Sequence, residues 1–214
     1  MEIDSQPLLI ELALSLPNGA FAGLGRRISH AYEASYVSVY NDELVQGLDK
    51  KITCGHIRRS YVNTALRDFA RCYDVIPKDV KMGTGVDNHV ELRIERFVFT
   101  SHHVARGQRM PSCAKYLDQN EELNELLSQM ELFPLKGPME PSSKEFNVLI
   151  LHDGGEDNRQ VNDIRFVFPR SGETLATFSI SDIISKQSTI EQSKEDKQIE
   201  LKARFNRFRQ QSGQ

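Results

Sequence analysis

The sequence predicts an α+β fold: an N-terminal helical layer packed on a four- or five-stranded, mainly antiparallel sheet, with a polar C-terminal extension. Three observations carry this. Apolar residues recur at helical spacing through about residue 82. They then alternate with period two over about 86–185, and helices precede strands instead of alternating with them. At 214 residues the chain is long enough for one sizeable core. The expected organisation is a single domain over 1–185, followed by a charged helix or mobile tail over 186–214.

In chain order, "PLLIELALSLP" reads as a short helix bounded by Pro7 and Pro17, and "PNGAFAGLG" as a glycine-rich connection. Over 26–40, the spacing of Ile28, Ala31, Tyr32, Tyr36 and Val39 suits a helix, although "SYVSVY" taken alone alternates like a strand. The clearest helix covers 55–73, where Ile57, Tyr61, Val62, Ala65, Leu66, Phe69 and Tyr73 gather on one side. Opposite them Arg59, Asn63, Arg67 and Arg71 recur every four residues. "VIPKDVKMGTG" then closes the helical half.

Val90, Leu92 and Ile94 alternate with charged residues, and Phe97 and Phe99 begin a second apolar stretch. These predict strands over 89–94 and 97–102 joined tightly at Glu95-Arg96. The turn has no glycine, so one long bulged strand is the alternative. Residues 118–132 form an acidic helical pattern with a stripe of Leu123, Leu126, Leu127 and Met130, and "FPLKGPMEPSSKE" is an exposed connection. Strands over 146–151, 163–168 and, more weakly, 174–180 complete the sheet. At the end of the chain, Arg204 and Arg207 accompany Phe205 and Phe208 in a pattern that fits a docking helix or a mobile basic tail.

Composition excludes several classes. Cys54, Cys72 and Cys113 are widely spaced with no CxxC, which argues against a disulfide framework or a structural zinc site and fits a reducing, cytoplasmic setting. The apolar run over 8–16 is interrupted by Glu11 and lacks a basic flank, so neither a signal peptide nor a membrane span is expected. The net charge of -3 conceals segregation: residues 50–73 carry +5, 96–117 carry +4, and 118–158 carry -8. Such blocks are solvated faces or a surface for an anionic partner.

"LILHDGGEDNRQ" holds an adjacent His152-Asp153 pair, and such pairs ligate metals in some phosphohydrolases. A loop between two strands explains more of these residues, since Asp153-Gly154-Gly155 tolerates positive φ, and its length invites a binding role. "GAFAGLGRR" lacks the lysine of a phosphate-binding loop, and no GxSxG or HExxH motif occurs. No catalytic residue, cofactor or metal ligand is therefore assigned.

The leading expectation is a non-enzymatic interaction or regulatory protein. It would engage an acidic protein partner, or a second copy of itself, through Arg59, Asn63, Arg67 and Arg71, with Arg204 and Arg207 contributing from the tail. The alternative is a nucleic-acid-binding protein using the same arginines, with "NDELVQGLDKKITCG" supplying the first helix and turn of a helix-turn-helix unit. A third reading is a metal-dependent hydrolase at His152 and Asp153, with His102 and His103 as further ligands. The three diverge on whether His152, the histidine pair and the arginine helix converge.

Overall fold

The computed structural model describes residues 5–82, 87–111, 124, 145–155, 159–170 and 173–211, of which 81, 82, 87, 173 and 200–211 are described by backbone alone. Three helices, α1 (Gln6–Leu14), α2 (Ala20–Tyr40) and α3 (Leu48–Cys72), precede the strands. The strands are β1 (Pro77–Met82), β2 (Asp87–Ile94), β3 (Phe97–Val104), β4 (Phe146–Gly154), β5 (Val161–Arg170) and β6 (Glu173–Ser179). A long helix, α4 (Ile180–Gln211), follows. The predicted α+β class holds.

The sheet has the order β1-β2-β3-β4-β5-β6. Neighbours run antiparallel except β3 and β4, which pair in parallel with Phe97 opposite Phe146 and His103 opposite His152. A parallel pair needs a crossover, and residues 105–145 provide it. Each half of the sheet is thus a three-stranded meander, and the two join at the centre.

The sheet exists because its strands alternate cleanly. Val90, Leu92 and Ile94, Phe97 and Phe99, Phe146, Val148 and Ile150, and Ile164, Phe166 and Phe168 all face the helices in one core. Their partners are Leu12 from α1, Phe21, Leu24 and Ile28 from α2, Leu66 and Phe69 from α3, and Ile183 from α4. Aromatic rings interlock through this layer: Phe21 meets Phe166 edge-on at 5.4 Å, and Phe168 meets Phe97, Phe146 and Phe178 edge-on at 6.0 Å each. Each buried phenylalanine contributes roughly 1.5–3 kcal/mol. On the other face, Val104, Leu149, Leu151 and Val167 form a smaller cluster with Met110 against it.

Polar contacts fix the layers. Gln187 of α4 donates to the carbonyls of Ala13 and Leu16, which satisfies the otherwise orphaned end of α1. Arg96, in the β2–β3 turn, pairs with Glu11 of α1 and lies 4.6 Å from the Phe146 ring. That anchor accompanies Glu95 at φ 53, a conformation that a non-glycine residue adopts at a cost of about 1–2 kcal/mol. The tight β2–β3 turn is therefore correct, without the usual glycine.

Other expectations are corrected. The sheet has six strands, because "PKDVKM" forms β1 at the edge of the sheet. Proline at its first position and charges along it suit an edge strand. α3 begins at Leu48, not 55, so residues 48–54 belong to the same helix as the arginines instead of forming an earlier helix and turn. β4 continues through Gly154, so His152 and Asp153 lie within a strand and the loop starts after them. Residues 186–211 are helical, as one of the two readings of the tail expected, within a helix that starts at Ile180. The acidic stretch 118–132 lies outside the described residues, apart from Asn124. Among the described residues no helix is long and apolar enough to cross a membrane.

Candidate functional site

Alternation along β3 puts Ser101 and His103 on the same face as Phe97 and Phe99, and along β4 it puts His152 in line with Val148 and Ile150. The helix-facing core thus ends in a polar group where β3 and β4 finish side by side. α2 brings Tyr32 to it and α3 brings Arg58 and Cys54.

The hydrogen bonds form a chain. The Arg58 guanidinium, buried at 4% exposure, lies over the Tyr32 ring, 4.5 Å from its centre. It also reaches His103 Nε2 at 3.1 Å and Cys54 Sγ at 3.5 Å. The Tyr32 hydroxyl lies 2.7 Å from His152 Nδ1 and Ser101 Oγ lies 2.9 Å from His152 Nε2, so the neutral ring donates one of these bonds and accepts the other. Burial, joined by the neighbouring histidines and Arg58, pushes the His152 pKa down to about 3. Burial likewise lowers His103, with Arg58 adding to the effect, and raises the Tyr32 phenol above its ordinary value.

These directions decide what the group can do. A Ser-His pair acts as nucleophile and base only when the histidine can take the proton and a third group stabilises the resulting imidazolium. Here the third group is a phenol, which carries no negative charge to stabilise an imidazolium, and burial, with His103, His102 and Arg58, opposes charging His152. Both ring nitrogens of His152 are engaged, and among the described residues no group of three or more His, Cys, Asp or Glu is placed to hold an ion. The chain of bonds instead fixes Arg58 in the interior and holds the exposed His103 beside it.

His102 points to the opposite face, where its Nε2 meets Thr100 Oγ1 at 3.1 Å. Burial, with His89 and Arg59 adding to it, lowers its pKa to about 4. His89 lies buried with Glu91 3.8 Å away, and burial lowers it too. Four of the six histidines therefore gather at one end of the sheet. Asp153 is also buried, with no hydrogen bond to its Oδ1 among the described residues.

The predicted arginine face is divided. Arg67 pairs with Asp79 of β1 at 2.6 Å, Arg71 with Asp68 at 2.7 Å, and Asn63 donates to the carbonyl of Asn88. These three residues face the β1–β2 edge and their own helix. Arg59, one turn earlier, lies near His89 and His102. The side chains of Arg204 and Arg207 lie outside the described residues. The question of convergence thus has a split answer: His152, His103 and the arginine helix meet through Arg58, while His102 faces away.

Sequence reasoning missed Tyr32, Arg58 and Ser101. Period-two alternation through "FVFTSHHV" could have placed Ser101 and His103 on the core face. Arg58 carried a weaker signal, since it precedes Val62 by one helical turn and so shares its buried side. No protein family, curated protein or solved structure matches the chain.

Proposed function

We propose that the protein is a binding protein that engages an acidic segment of a partner protein through the first half of α3 and the adjoining end of β3. The observation that carries this reading is the Arg58–His103 contact, which sets the cation-rich first half of α3, with Lys50, Lys51 and Arg59, beside the end of β3. Charge clustered this way raises the local concentration of an anionic partner and speeds its association.

The same part of α3 favours a protein over a nucleic acid. Leu44, four residues before α3, is 93% exposed, and on the helix itself Leu48 is 75% and Ile52 55% exposed, with the exposed Lys51 between these two in sequence. Large exposed apolar side chains beside cations suit an amphipathic acidic peptide, whereas phosphate backbones offer little apolar surface to meet them.

The test is a titration of the full chain with a synthetic amphipathic Glu/Leu peptide and, separately, with short duplex DNA. The peptide is expected to bind, and Lys51→Glu or Ile52→Asp to weaken it about tenfold, a loss of about 1.4 kcal/mol. Arg71→Ala should leave binding unchanged. Steeply salt-dependent binding of the duplex without binding of the peptide would replace this reading with the nucleic-acid one.

A further inference from the structure

We propose that a second site, the cavity between α2, the start of β5 and the start of α4, binds a small amphipathic anion: a carboxylate or phosphate head on an apolar body. The cavity encloses about 680 Å³, within the usual range for small-molecule sites. None of its lining lies on α3 or β3, so it stands apart from the partner surface proposed above.

Its chemistry divides into floor and rim. Ile164, Ile180 and Ile184 supply an apolar floor. The close approach of the two helices shapes this end: a Cβ on Gly25 would lie 2.9 Å from Ile180 Cδ1. Arg26 and His30, one turn apart on α2, stand on the rim.

The nearby acids are committed elsewhere, and this sets the sign of the ligand. Asp163 pairs with Arg165 at 2.7 Å and Glu33 faces Arg159 at 3.9 Å. Asp182 accepts the backbone N–H and hydroxyl of Ser179, and Ser179 Oγ in turn accepts the Asp182 N–H and caps α4. Arg26 and His30, by contrast, make no hydrogen bond or ion pair to another described residue. A guanidinium and an imidazole beside an isoleucine floor fit a head group with negative charge and a hydrocarbon or aryl body.

The experiment titrates the full chain with octanoate, octyl phosphate and uncharged octanol, following backbone amide shifts by NMR. Saturable one-to-one binding of at least one anion is expected, with shifts centred on Arg26, His30, Ile164 and Ile184. Arg26→Ala, on an exposed side chain, should weaken it at least about tenfold, and Ser181→Trp, which fills the cavity from its exposed rim, should abolish it. Thermal unfolding confirms that each variant is folded. Binding of octanoate alone assigns a carboxylate ligand, and binding of octyl phosphate alone assigns a phosphate. The proposal is overturned if neither anion saturates, if octanol binds as tightly as they do, or if both variants bind like the parent chain.

Discussion

The two halves of α3 carry the same residue type at similar spacing and use it in opposite ways. In the first half Arg58 is interior, surrounded by a phenol ring, an imidazole and a thiol. In the second half Arg67 and Arg71 remain at the surface, each beside a carboxylate. A charge in the interior costs several kcal/mol to desolvate and is held only by a dense set of contacts, whereas a surface pair is nearly balanced against water. The same side chain is thus a fixed structural element at one end of the helix and close to thermodynamically neutral at the other.

The sharpest way to break this contrast is Arg58→Ala. Removing the guanidinium takes the cation from the Tyr32 ring and a hydrogen-bond donor from His103 and leaves space beside them, so a loss of about 3–5 kcal/mol in urea unfolding is expected. Arg58→Met, which keeps the volume and drops the charge, should recover much of that loss. If Arg58→Ala costs no more than a surface substitution, the interior half of the comparison fails.

Acid should separate the halves next. His152 and His102 are held at about 3 and about 4 in the folded chain, below the unfolded histidine value. A folded pKa depressed in this way means that the unfolded chain binds the extra proton. The stabilisation is therefore complete above about pH 6.5 and is lost as pH falls toward the folded values, at up to about 1.4 kcal/mol per pH unit for each histidine. Burial lowers His89 and His103 in the same direction. Urea midpoints measured at successive pH values should fall through this window, and His152→Asn should flatten the slope. A midpoint that stays level between pH 6.5 and 4 would contradict the histidine assignment.

The smallest effect is expected from Arg67→Ala and Arg71→Ala. Both pairs are exposed, so each substitution should cost less than about 1 kcal/mol, and raised salt should shrink the difference further. A larger loss at Arg67 would mean that its pair with Asp79 helps hold the edge strand to the helix.

This contrast also marks how far the sequence could be read. Alternation exposed five of the six strands, since apolar side chains every second residue leave few options once a face is buried. β1 escaped because an edge strand carries charges and a leading proline that resemble a loop. The helix containing the arginines was legible, but not its start, because Gly55 looked like a boundary and is simply an exposed helical position. The Arg71–Asp68 pair is local and could be read three residues apart. The Arg67–Asp79 pair needed β1, and the burial of Arg58 needed Tyr32 and His103, which arrive from different elements. His152 was read as the start of a loop because the strand pattern was ended at Leu151, whereas β4 carries period two through it, and its partner Tyr32 depended on how α2 crosses the sheet.

One side chain within the crossover ties the sheet's assembly to its connectivity. Asn124 donates to the carbonyls of Asn147 and Pro169 and accepts the Asn147 N–H, bridging β4 and β5 beside the register shift at Phe168-Pro169. Proline has no N–H to offer a neighbouring strand, and here a side-chain amide takes up its carbonyl. The Asn147 amide proton is thereby a reporter on one side chain: its exchange with solvent requires the Asn124 carbonyl oxygen to let go of it, whatever the pairing of the strands on either side.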